Sequence, residues 1–336
     1  MCMTPDLLDA ITSKTPNQAW DAIREYLWTY FSAPLPSGKS ADAEIVNRDR
    51  GINELENVLA SSCWDLWQFF EESLPRGSDA VIEFWNRIHG GKALLILDGL
   101  SLRESPWILE QAHLRGYTLH SSSAVVSELP SETNFYAKSL GFSQRSALEN
   151  NSAGKSHKLT GARTETSELP WTECTTSIGA QESIAYWHHW PDNRLHELAK
   201  PGEGLKKLAS EAHAALTGDE FWGFVDKLAT GRRVAITSDH GYAACGYFNN
   251  LDGDQASYMK QIFASGRTTA NSAFSNATQH AAWLPPIDLE LQTQHGKHRF
   301  VMGRRNWKVS GQSNRLLAHG GLSLLEVFVP YIELSK

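Results

Sequence analysis

The sequence predicts an α/β protein, a mostly parallel sheet flanked by helices, with a helical N-terminal region over residues 1–91 ahead of it. Three observations predict it. Apolar side chains recur at three- and four-residue spacing through the first ninety residues. From Lys92 onward, short continuous apolar runs alternate with helical or polar connections. Continuous rather than alternating runs imply strands buried on both faces, as in a parallel sheet covered by helices.

In chain order, TPDLLDAI, PNQAWDAIREYLWTYF, INELENVLASSCWDLWQFFEESL and SDAVIEFWNRIHGG read as helices. Trp20, Ile23, Tyr26, Leu27 and Tyr30 fall on one face of the second, a stripe that serves core packing before partner binding. Pro and Gly make Ser32 to Ser40 a loop, and Gly90-Gly91 closes the last helix. KALLILDG, SIAYWHHW and RRVAITSDHG are the expected strands. Asn150 to Pro170 is rich in Ser, Thr and Gly, and is expected to be a surface excursion or flap. IDLELQTQHGKHRFVMGRRNW alternates and turns at His295-Gly296, a β-hairpin.

At 336 residues and 41% hydrophobic content the chain can build a substantial core. A net charge of -7 gives no overall attraction to nucleic acid. Cys2, Cys63, Cys174 and Cys245 are too scattered for a disulfide framework or a thiolate zinc site, and fit a reducing compartment. MCMTPDLLDAITSK lacks the basic and apolar segments of a secretory signal, and no apolar run is long enough to span a bilayer. The expected location is cytoplasmic.

Ligands of open parallel sheets bind beyond the carboxyl ends of the strands. The polar residues there are Asp98 in LLILDG, Asp239 and His240 in AITSDHG, and Asp192 and His196 after SIAYWHHWP; His319 in LAHGGLSLLEVFVP joins them. Three acids and three imidazoles are donors that Zn²⁺ or Mn²⁺ accepts without thiolates. Each alone reads as a cap, a turn or chance; the ordered set carries the weight.

That order, an Asp ending an apolar strand, a hydroxyl residue, Asp-x3-His, Asp-His-Gly and His-Gly-Gly-x-Ser, resembles the alkaline phosphatase superfamily of metal-dependent phosphate ester hydrolases. ALLILDGLSLRE and LAHGGLSLLEVFVPYIEL are similar to the PglZ domain of bacterial phage-defence systems, over residues 92–336. The resemblance implies an alkaline phosphatase-like fold and two divalent metal ions, Zn²⁺ first and Mn²⁺ second. Asp192, His196 and His319 would hold one ion; Asp98, Asp239 and His240 would hold the other. It further implies a nucleophile, Thr133 in LPSETNFYAKSLGF, expected as the N-cap of a helix from Asn134 to Leu140, with Ser131 as second choice.

The expected activity is a phosphodiesterase acting on nucleotides or nucleic acid in phage defence. No arginine neighbours Thr133 in the sequence to serve a monoester's third oxygen, while Trp187, Trp190 and Tyr242 flank the ligands as a stacking wall or as packing. Lys297, His298, Arg299, Arg304 and Arg305 form a basic cluster, either a solvated edge or a nucleic-acid contact. The alternative is a non-catalytic metal-binding scaffold that docks defence partners through its N-terminal helices. A phosphomutase or phosphonate hydrolase is a third reading.

Overall fold

Lys92–Leu97 (β1) is buried along all but its first residue because both of its faces are covered. Ala93, Leu95 and Leu97 point into a cluster with Trp107, Trp222 and Phe224, whereas Leu94 and Ile96 join Val81, Trp85 and Tyr136 on the other side. That two-residue alternation into two cores is what a central strand requires. The computed structural model describes residues 3–36, 38, 40–149, 156–199, 204–245, 249–270, 283–308 and 315–336.

The other strands of this sheet are Thr118–Val126 (β2), Arg163–Ser167 (β3), Ser183–His188 (β4), Arg233–Thr237 (β5) and, after a separate three-stranded sheet of Thr268–Ala270 (β6), Asp288–Thr293 (β7) and Gly296–Val301 (β8), the C-terminal Phe328–Ser335 (β9). The spatial order is β2-β9-β5-β1-β4-β3. β1 runs parallel to β4 and β5, and β3 runs parallel to β4; β9 is antiparallel to both of its neighbours. The fold is therefore α/β with a mostly parallel sheet flanked by helices, as the apolar runs indicate.

The expected hairpin is β7 and β8, with Thr293 opposite Gly296. Its two-residue turn is Gln294-His295, one position earlier than the sequence suggests, and Gly296 follows at φ +109°.

Three strands of the six-stranded sheet escape the sequence pattern. β2 exposes its first four residues at the sheet edge, so it lacks an apolar run. β9 contains Pro330, which argues against an inner strand. β3 corrects the reading of Asn150 to Pro170 as an excursion: Leu159 and Ala162 are in the core and Arg163–Ser167 is a sheet edge, polar because an edge strand faces water. Residues 150–155 of that tract lie outside the described residues.

The N-terminal helices start where the chemistry directs. Thr15 caps Pro16–Ser32 in a capping box with Gln18, and Pro16 occupies the first turn, where its missing N–H costs nothing. Trp20, Ile23 and Leu27 are fully buried, with Trp20 edge-on to Trp67 at 4.7 Å. Each such side chain contributes about 1.5–3 kcal/mol by leaving water. They share one cluster with Phe300, Val327 and Phe328, so this face packs against the rest of the chain. An additional helix, Ala41–Gly51, follows the loop. The long INELENV segment breaks into Asn53–Ser61, a 3₁₀ turn Trp64–Phe69 and Phe70–Ser73.

The basic cluster is not a cationic surface. Arg304 is buried and pairs with Asp49 at 2.7 Å, Lys297 pairs with Glu290, and Arg299 pairs with Asp288.

Candidate metal centre

β4, β1 and β5 lie side by side and parallel, so their carboxyl ends open onto one edge of the sheet. Asp98 directly follows β1, Asp239 and His240 follow β5, and the Asp192–Leu198 helix beyond β4 brings Asp192 and His196. Main-chain bonds fix this edge: the Asp98 N–H donates to the His188 carbonyl and the Asp192 N–H to the Asp98 carbonyl, both at 2.9 Å. The Gly99 N–H donates to Asp239 Oδ1 at 3.1 Å. His319 arrives from far along the chain because Leu317–Ala318 pairs antiparallel with Ala243–Ala244, just past His240.

The result is two groups of donors. Asp192, His196 and His319 form one, and Asp98, Asp239 and His240 the other; within each, the ligand atoms lie within 4.8 Å of one another. The groups adjoin where the His240 and His319 rings stack at 4.1 Å between centroids. His240 Nδ1 faces the Gly241 carbonyl at 2.9 Å and His319 Nδ1 faces the Ser131 carbonyl at 3.3 Å. A carbonyl only accepts, so each Nδ1 carries a proton and each Nε2 is the nitrogen turned toward its group. Burial disfavours a charged His240 ring, but Asp239 and Asp192 outweigh it and raise that ring, so a cation there takes the place of the Nε2 proton.

Two buried oxygens provide the test of fit. Asp192 Oδ1 and Asp239 Oδ2 have no hydrogen-bond partner, one in each group. A buried carboxylate oxygen left unpaired is costly unless a cation satisfies it, and carboxylate with neutral imidazole suits Zn²⁺ or Mn²⁺. Electrostatics agree. Burial alone would raise the Asp192 carboxyl, but His196, His319 and His240 outweigh it and hold it well below the usual carboxylate range. Burial pushes His319 down to about 4, which keeps its ring neutral.

Thr133 differs from expectation in one respect. The helix spans Thr133–Ser139 with Glu132 as its N-cap, so Thr133 is the first helical residue. Its hydroxyl is placed by neighbours rather than by capping: Oγ1 lies 3.3 Å from Asp98 Oδ1 and 3.4 Å from His240 Nε2. The Ser131 hydroxyl is buried and makes no hydrogen bond.

A cleft of about 700 Å³ opens over Thr133, Asp192, His196 and His319. Its wall includes Glu132, Arg145, Glu168 and His189. Arg145 pairs with Asp98, placing a guanidinium at the site although twelve residues separate it from Thr133. Nothing in the polar stretch SQRSALEN signals this. Of the two readings of the aromatics, packing holds: Trp187 and Tyr242 are fully buried, Trp187 edge-on to Tyr136 and Tyr242 under Arg103, while Trp190 packs on Trp171. A second cleft of about 650 Å³ at the amino ends of β1, β3 and β4 has Lys92 spent on two main-chain carbonyls, those of Trp85 and Ile88.

No family model and no curated protein matches the sequence. Among solved structures, murine ectonucleotide pyrophosphatase/phosphodiesterase 5 is similar at 11% identity and a TM-score of 0.48, over 73% of this chain and 88% of that one. An inactive variant of the same murine protein in complex with AMP gives 11% and 0.46 over the same shares.

Proposed function

We propose that the chain is a metal-dependent phosphate ester hydrolase of the alkaline phosphatase type, with Thr133 as nucleophile. One observation carries the reading: the Thr133 hydroxyl stands against Asp98 and His240, in a cleft whose two donor groups each contain a buried carboxylate oxygen without a partner. Asp192, His196 and His319 would hold one divalent ion, and Asp98, Asp239 and His240 the other. Bound there, such ions supply positive charge that favours the Thr133 alkoxide and a departing oxyanion.

The chain's own residues do the rest. Asp98 Oδ1 accepts the Oγ1 hydrogen bond and His240 Nε2 stands beside it, so the two orient Oγ1 toward the cleft. Oγ1 gives its proton to solvent and bonds to phosphorus as the bond to the leaving oxygen breaks; the leaving group departs with the electron pair and takes a proton from solvent. Water then cleaves the phosphothreonine, returning the hydroxyl and releasing phosphate or its monoester. Burial of Asp98, Asp239 and His240 excludes competing water from the attacking side.

The phosphodiester reading, on a nucleotide or nucleic acid, follows from the sequence resemblance, as do PglZ character, Zn²⁺ and a role in phage defence. A monoester is the second reading, favoured by Arg145, a cation able to meet the extra phosphoryl oxygen, and by the buried positions of Trp187 and Tyr242. No helix among the described residues is long and apolar enough to cross a membrane.

The test is hydrolysis of bis-p-nitrophenyl phosphate and of p-nitrophenyl phosphate with Zn²⁺ or Mn²⁺ supplied. Thr133→Ala is expected to lose about a thousandfold or more in kcat on the preferred ester while binding the same amount of metal. Turnover that survives Thr133→Ala removes the nucleophile assignment; metal binding with no turnover on either ester favours the scaffold.

A further inference from the structure

Asp98 is divided between two claimants. Its Oδ1 faces Thr133 Oγ1 at 3.3 Å and His240 Nε2 at 3.4 Å, inside the candidate metal group. Its Oδ2 accepts from Nη1 of Arg145, which reaches in from the 3₁₀ turn Arg145–Leu148. That turn is itself held, since Thr164 Oγ1 on β3 donates to the Leu148 carbonyl at 2.7 Å. The guanidinium is thus anchored at the site and does not merely lie across it.

The two donor groups differ in charge. The Asp192 group has one carboxylate and two imidazoles, and its His196 is exposed; the Asp98 group has two carboxylates, and all three members are fully buried. On donors alone the Asp98 group should bind a divalent cation more tightly, because it offers twice the negative charge in a medium that screens little. Arg145 cancels half of that charge, which levels the two groups, and it also occupies Asp98 Oδ2, so the Asp98 group has one carboxylate oxygen fewer to offer an ion. Arginine stays protonated at every working pH, so the cancellation is permanent while the ion pair stands. A dication entering the Asp98 group would share one carboxylate with a fixed positive charge a few ångströms away.

We propose that Arg145 is a tethered cation that competes with the divalent metal for Asp98, making the Asp98–Asp239–His240 site the weaker and more readily exchanged of the two. This rests on the metal-centre reading above and assigns a role to a residue that reading does not need. The Asp192–His196–His319 site, none of whose side chains pairs with Arg145, fills at lower metal concentration, and the second site fills only as the concentration rises.

The experiment is calorimetric titration of Zn²⁺ into the metal-stripped full chain. Asp239→Asn and His196→Ala identify which transition belongs to which group. Arg145→Ala and Arg145→Gln are both made; the side chain is 26% exposed, and the Gln variant keeps part of its volume where Ala opens the space to solvent. Circular dichroism checks that each variant is folded. Wild type is expected to show two transitions, the weaker one lost in Asp239→Asn. Both Arg145 variants should tighten that weaker transition by about tenfold or more and leave the other within about twofold, while Arg145→Lys behaves as wild type. An unchanged or weakened second transition in the Arg145 variants overturns the proposal, since it would mean that Arg145 orients Asp98 for the metal or is irrelevant to it. So would a weaker transition that maps to His196. Wild type that binds no Zn²⁺ overturns the metal centre itself along with this role, which separates the two failures.

Discussion

His196 Nε2 and His319 Nε2 face each other at 3.4 Å, although 123 residues separate them in the sequence. The two nitrogens can share one proton or direct both lone pairs at a common cation. His319 has its proton on Nδ1, toward Ser131, so its Nε2 is a bare acceptor. Asp192 completes the set, with Oδ2 3.2 Å from His196 and Oδ1 3.6 Å from His319. Protein dialysed to equilibrium against buffer containing excess Zn²⁺ is therefore expected to carry about two bound Zn²⁺ per chain above the dialysate, and His319→Ala about one. Elemental analysis reads both numbers. An unaltered metal content in His319→Ala would separate His319 from the site.

Gly241 explains the form of the Asp-His-Gly sequence. A Cβ built there collides with the main-chain carbonyl of Leu325, and backbone cannot give way as a flexible side chain can. The Gly241 N–H also donates to the Glu326 carbonyl at 2.9 Å, so the loop is pressed against Leu324–Val327. Gly241→Ala should force Asp239 and His240 out of register with Asp98, destabilising the fold by about 2 kcal/mol or more and lowering metal affinity. Urea unfolding and a Zn²⁺ titration measure the two effects. A variant with wild-type stability would show that the loop has room to move.

The sequence made the inner strands legible because burial on both faces leaves an unbroken apolar run, as in KALLIL, and it made the acids and imidazoles at their tips legible because strand order brings those tips together. It concealed β2 and β3, whose solvent-facing serines and threonines look like loop, and β9, whose Pro330 reads as a breaker. Arg145 was illegible for a different reason. Its place at Asp98 depends on a turn pinned by β3, an element that is itself unreadable without its partner strand β4. Arg304 misled in the opposite sense: a basic doublet in a polar stretch looks like surface, and only the Ala41–Gly51 helix supplies the acid that buries it.

That acid, Asp49, is the basis of a third prediction. It is nearly fully buried at 1% exposure and bonds to Arg103 Nε at 3.0 Å and Arg304 Nη1 at 2.7 Å. Burial pushes its carboxyl up, but the two guanidinium groups outweigh that and hold it below the usual range. Arg103 also donates to the Tyr242 carbonyl at 2.8 Å, two residues past His240, so the ion cluster ties an N-terminal helix to the loop carrying the candidate ligands. Asp49→Ala removes the carboxylate paired with buried Arg103 and one of those paired with buried Arg304, which keeps Glu56 at 3.5 Å, and is expected to cost about 3–5 kcal/mol. Urea denaturation measures it. A loss below about 1 kcal/mol would mean that water reaches the cluster and screens it.

His188, the last residue of β4, predicts an acid-sensitive contribution to stability. Its ring stacks on Trp171 with centroids 3.9 Å apart; Nε2 donates to the Leu169 carbonyl at 2.9 Å, and Nδ1 accepts from the Trp190 N–H at 3.0 Å. Both ring nitrogens are thus used by the neutral form, and burial pushes the group from its ordinary 6.5 down to about 4. Between those values the unfolded chain binds more protons than the folded one, so stability falls as the pH drops through the window and is fully present above it. The slope from this group is at most about 1.4 kcal/mol per pH unit. His188→Gln cannot take up that proton, so the difference in unfolding free energy between wild type and variant should shrink steadily from about pH 7 to about pH 5. Urea unfolding of the metal-stripped proteins at several pH values measures the difference, and the other titrating groups cancel in the comparison. A difference that stays constant across the range would show that His188 is not held neutral, and that the stacked, doubly bonded ring does not set the approach of β4 to Asp192.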